Sequence, residues 1–227
     1  MRASLLVGFL SLLMGACAAT PKAQVAVPIP TPPTARLAAN TATGLEDATD
    51  SIRIYERDTV DPENAMPTIG GYVRVHAPIE KAYEVALRFG EIKDLNPDYI
   101  EQSTVVDRQP SLGIADVYLK VPTVIHEYVW AVVRFKPVKT NVGYAYRGDE
   151  VEGNLDDLRI YWRLVPQGGE TIAQFEFLAD PHLPIPRPWI LPEVREGVRI
   201  ILNRFRDKAE RASRAGRHLD DDMPIVE

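Results

Sequence analysis

The segment from Leu158 to Leu178 reads LRIYWRLVPQGGETIAQFEFL, and it contains two alternating stretches separated by a polar turn. In the first stretch, leucine, isoleucine and tryptophan occupy every second position, with arginine and tyrosine between them. In the second stretch, alanine and phenylalanine alternate with glutamine and glutamate. Such alternation predicts β-strands with one apolar face. The short turn between the two strands predicts an antiparallel hairpin.

Other stretches with the same period extend the predicted sheet toward the N-terminus. Four of them precede the hairpin and are joined by short polar turns, which predicts further antiparallel pairing. Two more lie before the first predicted helix. The six stretches are Ser51 to Arg57, Gly70 to His76, Glu101 to Arg108, Ile114 to Val121, Glu127 to Phe135 and Gly143 to Asp149.

Two helical segments interrupt this pattern between the second and third predicted strands. Proline is tolerated in the first turn of a helix, so Pro78 is compatible with a helix that begins at Ile79. A second helical turn is predicted around Ile92 to Leu95, where an Asn-Pro pair then ends it.

A long amphipathic helix is predicted after the proline-rich segment Pro184 to Pro192. Apolar residues recur in it at spacings of three and four, and charged residues fill the opposite side. This stripe needs a large apolar surface to cover it, and the apolar face of the sheet is the obvious one. The predicted fold class is therefore α+β, a curved antiparallel sheet wrapped around a long C-terminal helix. The stripe consists of Val194, Val198, Ile201, Leu202, Phe205 and Ala209.

Three passages, by their order and spacing, resemble the START-like superfamily, also called SRPBCC, which includes polyketide cyclase and dehydrase-like proteins, lipid-transfer START domains and coenzyme Q-binding proteins. The first is Val73 to Ala82 (VRVHAPIEKA), a strand followed by a helix start. The second is Glu91 to Asp98 (EIKDLNPD), with Leu95 where the superfamily commonly has tryptophan. The third is Leu183 to Trp189 with the helix after it. The resemblance covers about residues 70 to 212 and implies a helix-grip fold with a cavity between sheet and helix.

The resemblance implies that apolar side chains of the sheet and the long helix meet inside the grip and bind an apolar ligand. A solid core made of the same side chains is the alternative. Arg134 or Arg147, which border the apolar alternation, could anchor a ligand carboxylate or headgroup. The predicted ligand-binding residues are Tyr144, Tyr146, Trp162, Phe175, Phe177, Val198, Leu202 and Phe205.

The first residues predict an export signal of the lipoprotein type. Leu5 to Met14 is an apolar run, too short to span a membrane, after a short positive start. Gly15, Ala16 and Cys17 follow and resemble the bacterial lipobox, with Met14 where leucine is usual. The resemblance implies that Cys17 is the lipidated first residue of the mature protein and that its acyl chains anchor the chain to a membrane. A plain secretory signal is the alternative.

The residues after Cys17 predict a tether. No aromatic residue occurs between Phe9 and Tyr55, so this stretch cannot bury enough apolar surface to offset its ordering entropy. Ala18, and not aspartate, follows the lipobox, which by resemblance to well-studied Gram-negative lipoproteins implies the periplasmic face of the outer membrane. The predicted segments are a signal peptide (1–16), a flexible Pro/Ala/Thr-rich linker (17–50), a START-like domain (51–215) and an acidic disordered tail (216–227).

Composition excludes several classes of function. A net charge of −6 without a basic run argues against nucleic-acid binding. One cysteine excludes an internal disulfide framework and a cysteine-rich zinc site, and no metal or cofactor is predicted. No nucleophile elbow or glycine-rich phosphate loop is present, so no catalytic residue is assigned. His126 with Glu127 is the best acid-base candidate, and a solvent-facing turn pair is the alternative.

These features predict a membrane-tethered periplasmic protein that binds and transfers an apolar ligand such as a lipid, a sterol-like compound or a quinone. The long helix and the segment Asp180 to Leu191 are predicted to form a mobile lid. One alternative is a cyclase or dehydrase-like enzyme, which a tyrosine-carboxylate or histidine-carboxylate pair in the cavity would favour. The other is an accessory envelope lipoprotein without a ligand.

Overall fold

The computed structural model of the chain describes residues 50–57, 66–122, 128–181 and 186–215. The predicted signal peptide, Cys17, the linker up to position 49 and the acidic tail lie outside these ranges. So do the acid-base candidates His126 and Glu127 and residues 182–185 of the predicted lid.

In the described ranges, eight strands form one sheet, and every pair of neighbours in it is antiparallel. The spatial order is β1-β2-β8-β7-β6-β5-β4-β3, so the last strand pairs with the second. The predicted antiparallel pairing and the fold class are confirmed. The strands are β1 (Arg53–Arg57), β2 (Thr68–Val75), β3 (Gln102–Gln109), β4 (Ile114–Pro122), β5 (Tyr128–Pro137), β6 (Tyr144–Gly153), β7 (Leu155–Gln167) and β8 (Glu170–Pro181).

The part of the chain that the structure describes has three α-helices beside the sheet: α1 (Ile79–Ala86), α2 (Ile92–Leu95) and α3 (Arg187–Arg214). The predicted start of α3 after Pro192 is wrong, because the helix already begins at Arg187. Pro188 lies in the first turn, where backbone N–H groups have no helical partner, and Pro192 is accommodated inside the helix. Within the described ranges, none of the helices combines the length and apolarity needed to cross a membrane.

The C-terminal half of α3 packs directly on the sheet. Leu202, Phe205 and Ala209 are fully buried, and the ring of Phe205 lies 4.6 Å from that of Trp162 on β7, centroid to centroid. Helix α1 also packs against α3, with Ala82 fully buried. This end of the sheet is therefore filled by protein side chains.

Gly71 on β2 allows the close approach of helix and sheet. A Cβ atom at this position would lie 2.8 Å from the Leu202 side chain of α3 and 2.8 Å from the Ile54 side chain of β1. Carbon atoms in optimal contact are about 3.5–4.0 Å apart, so a methyl group here would force the ends of the Leu202 and Ile54 side chains to move.

His76 joins three elements just after β2. Its Nδ1 lies 2.5 Å from Oε1 of Glu170 on β8, and its backbone N–H donates to Oε1 of Glu210 on α3 at 3.0 Å. Its Nε2 also lies 3.3 Å from the Asp50 carboxylate. The hydrogen bond with Glu170, followed by the negative charges of Glu170, Asp50 and Glu210, raises the pKa of His76 above its usual value.

Replacing Gly71 with alanine is expected to lower the free energy of unfolding by about 1–3 kcal/mol, the usual cost of overpacking. Urea unfolding measures this change. Gly90→Ala is the matched control, because a Cβ there would have no neighbour closer than 3.8 Å. Equal stabilities of the two variants would contradict the close approach of α3 at Gly71.

The raised pKa of His76 makes stability depend on pH. The imidazolium is favoured by the folded state, so its contribution is fully present below the unfolded pKa of about 6.5 and is lost as pH rises through the folded pKa. We expect His76→Gln to reduce the free energy of unfolding more at about pH 5.5 than at about pH 9. His218→Gln in the predicted tail is the control. A pH-independent loss would show that the ion pairs of His76 do not stabilise the fold.

Candidate ligand-binding site

A cavity of about 260 Å³ separates the sheet from the N-terminal half of α3. Strands β4, β5, β7 and β8 form its floor, and α2 with the residues after it forms one side. Helix α3 covers it through Val194, Gly197, Val198 and Ile201. The cavity thus occupies the place in the fold where the sheet and the helix stripe are not in direct contact.

The wall of the cavity is almost wholly apolar. The indole of Trp162 and the ring of Phe175 lie 4.7 Å apart, centroid to centroid, and form the centre of the floor with Phe177 beside them. Aliphatic side chains and Trp130 complete the wall on the β4 and β5 side. Such a wall binds apolar molecules because contact with it removes their apolar surface from water. This burial is favourable by about 25 cal/mol per Å².

The structure places four of the eight predicted ligand-binding residues in this wall and four outside it. Trp162, Phe175, Phe177 and Val198 line the cavity. Leu202 and Phe205 lie one to two helical turns further along α3, where they pack on the sheet without leaving space. The remaining two residues outside the wall are Tyr144 and Tyr146.

Tyr144 and Tyr146 pack under helix α1 and not under α3. The hydroxyl of Tyr146 donates a hydrogen bond to that of Tyr83 on α1 at 2.6 Å, and the ring of Tyr144 stacks on Tyr83 at 4.0 Å. Burial, followed by the hydrogen bond with Tyr83, raises the pKa of Tyr146. The phenol of Tyr146 therefore stays protonated near neutral pH. Tyr146 is buried in the core, whereas Tyr144 is exposed at its edge.

Three polar residues line the cavity, and the sequence analysis assigned no role in a site to any of them. They are Asn96, directly after α2, Tyr99 in the following turn, and Glu193 on α3. The hydroxyl of Tyr99 donates a 2.5 Å hydrogen bond to Oε2 of Glu193, which raises the pKa of Tyr99 to about 12. This bond joins α3 to the turn after α2 at the rim of the cavity. The Asn-Pro pair in the sequence signalled only the end of a helix.

The arginines considered as ligand anchors bind carboxylates elsewhere. Arg134 makes two hydrogen bonds to Asp116 across β4 and β5, at 2.8 and 2.6 Å. Arg147 donates to Asp149 at 2.6 Å. Neither arginine lines the cavity. In the described part of the chain, no three His, Cys, Asp or Glu residues are placed so that they could hold a metal ion.

No protein-family model matches the sequence, and no curated protein matches it. Several solved structures are similar in fold. A STAR-related lipid transfer protein from Xanthomonas axonopodis is 19% identical over 72% of this chain and 96% of that chain, with a TM-score of 0.58. Human STARD10 is 10% identical over 82% of each chain, with a TM-score of 0.59. Human StAR-related lipid transfer protein 5 is 10% identical over 81% of this chain and 96% of that one, with a TM-score of 0.51.

These similarities agree with the observed architecture, in which a curved antiparallel sheet grips a long C-terminal helix across a cavity. The chain has the START-like helix-grip fold.

Proposed function

We propose that this protein binds and transfers an apolar ligand held in the cavity between the sheet and α3. The observation that carries this proposal is the cavity itself, a space of about 260 Å³ with an almost wholly apolar wall. Side chains around an apolar space make fewer dispersion contacts than side chains in a packed core. A ligand that fills the space supplies these contacts, so its binding is favourable. Two proteins of similar fold are described as lipid transfer proteins, which supports the same function here.

The size of the cavity limits what it holds. Pockets for drug-sized ligands span about 300–1,000 Å³, so this one is slightly smaller than that range. A single acyl chain or one compact ring system is therefore a better fit than a lipid with two long chains.

The cellular location that we propose rests on the sequence alone. The lipobox-like segment ending at Cys17 supports a lipid anchor, and Ala18 supports the outer membrane of a bacterial cell envelope. A linker of about 33 residues would span at most about 100 Å when fully extended. A tethered carrier could thus collect an apolar molecule at one membrane and shield it from water in the periplasm.

One observation favours a second function, an enzyme of the cyclase or dehydrase type. The pair of Tyr99 and Glu193 at the cavity rim is a close tyrosine-carboxylate pair of the kind that acid-base chemistry uses. However, the hydrogen bond to Glu193 raises the pKa of Tyr99 to about 12, so the phenol keeps its proton at neutral pH. Glu193 is exposed, whereas catalytic acids and bases are usually desolvated in a cleft. Binding without chemistry is therefore the function proposed.

Filling the cavity tests the proposed function directly. Ala131 is 2% exposed and lines the floor, so Ala131→Phe is expected to occupy the ligand space while the fold is retained. The readout is the tryptophan fluorescence of chains that also carry Trp189→Phe, because Trp130 and Trp162 then remain and both line the cavity. Titration with 1-decanol, cholesterol and decylubiquinone should change the emission of the parent chain with at least one of them, and Ala131→Phe should abolish that change.

Two controls accompany this titration. Ala215→Phe places the same ring at an exposed position after α3 and should leave binding intact. Thermal unfolding verifies that Ala131→Phe is folded. If the folded Ala131→Phe variant binds as well as the parent chain, the cavity is not the binding site.

The hydrogen bond between Tyr99 and Glu193 should slow ligand exchange, because it closes the rim between α3 and the turn after α2. Tyr99→Phe removes it without removing the ring. We expect faster association and faster dissociation in stopped-flow measurements, with a dissociation constant that changes little because both rates rise. Tyr72→Phe, outside the cavity wall, is the control. Unchanged rates would mean that ligands enter elsewhere.

A further inference from the structure

The wall of the cavity carries a single kind of charge. Among the described residues that line it, Glu193 on α3 is acidic, and none is lysine, arginine or histidine. Glu193 is also exposed, so it lies where the cavity meets the solvent. A ligand in the cavity therefore has its apolar part in an uncharged space and meets one negative charge at the rim.

The carboxylate of Glu193 is held in place without being neutralised. The hydroxyl of Tyr99 donates to its Oε2 at 2.5 Å, which fixes the carboxylate at the rim. Within the described part of the chain, Glu193 forms no ion pair. A carboxylate offers about four lone-pair sites, so one hydrogen bond from a neutral phenol leaves most of its accepting capacity available.

The neighbouring cations are already engaged by other carboxylates. Glu196 and Asp98 both contribute negative charge near the same phenol. Arg199 forms an ion pair with Glu196, and Arg204 lies 4.0 Å from Asp98. Glu193 is thus the carboxylate at this rim whose charge is left for a ligand to meet.

The sign of this charge discriminates between polar end groups of an apolar ligand. A carboxylate or phosphate inside the cavity would lose its hydration and find no cation, and at the rim Glu193 would repel it. A protonated amine has the opposite outcome, because it can donate to Glu193 at the rim and keep part of its contact with water. Charge-assisted hydrogen bonds are about twice as strong as neutral ones, so an ammonium group is favoured over a hydroxyl group as well.

We propose that Glu193 determines the specificity of the site and that the preferred ligand is an apolar molecule with a basic amine, whose ammonium group binds Glu193 at the rim. This proposal rests on the proposed binding function and narrows it. The cavity accepts amines before neutral alcohols, and it discriminates against free fatty acids and other anionic lipids.

Three matched probes test the proposal: decylamine, 1-decanol and decanoate, which share one alkyl chain and differ in the end group. Calorimetric titration of the full chain carrying Cys17→Ser, which prevents lipidation of position 17, measures each affinity. Near neutral pH the amine is protonated and the acid is ionised. The chain should bind decylamine about fivefold more tightly than 1-decanol, because the hydrogen bond to Glu193 becomes charge-assisted. It should bind decanoate most weakly.

Glu193→Gln removes the charge and keeps an oxygen that can accept from Tyr99. It should lose the preference for decylamine, bind decanoate more tightly than the parent does, and keep the affinity for 1-decanol. Glu193→Lys should reverse the order, with decanoate bound most tightly. Glu80→Gln is the matched control, because it makes the same change in net charge at an exposed position of α1 outside the cavity wall. It should keep the order of the parent chain.

The outcomes distinguish this proposal from the binding function on which it rests. If the parent chain binds the three probes equally, or binds decanoate most tightly, the role of Glu193 is overturned while the binding function stands. The same holds if Glu80→Gln loses the preference for decylamine as fully as Glu193→Gln does, because net charge alone would then explain it. If none of the three probes binds, both proposals fail together.

Discussion

The apolar stripe of helix α3 must be covered, and its two halves are covered in different ways. In the C-terminal half, Leu202 and Phe205 are fully buried, and Gly71 lets the helix lie directly on the sheet. In the N-terminal half, Val194 and Val198 face a cavity of about 260 Å³. The tight half holds the helix in place, so the loose half can leave space without loss of the fold. The rest of the candidate site depends on this division of one helix.

The fold could be predicted from the sequence because the signals were local and consistent. Alternation in segments such as Leu158 to Leu164 gives one apolar face, and short turns leave only antiparallel pairing. The start of α3 was placed too late in the chain, because proline usually marks the boundary of a helix. Pro188 is nevertheless compatible with the first turn of α3. Local patterns also cannot show that α1 covers the part of the sheet that holds Tyr146.

The same limit explains why half of the predicted site residues lie outside the cavity wall. Periodicity assigns a residue to a face, but it does not say how far a helix lies from that face. Trp162 and Tyr146 have similar sequence surroundings, yet one lines the cavity and the other donates a hydrogen bond to Tyr83. Asn96 could not be singled out either, because only the folded structure shows that its side-chain oxygen is buried and has no partner among the described residues. Such exceptions to local rules are where function is expected.

The central claim is that the cavity is a binding space for an apolar molecule without a negative charge. Native mass spectrometry of the chain from Ser51 onward, purified without detergent, tests it most directly when the bound material is then extracted and identified. This chain lacks Cys17, so any retained apolar compound is a ligand and not an anchor. The account predicts one apolar molecule per chain, released by organic solvent and free of carboxylate and phosphate groups. A folded chain that carries nothing and takes up no amine, alcohol, sterol or quinone would contradict it.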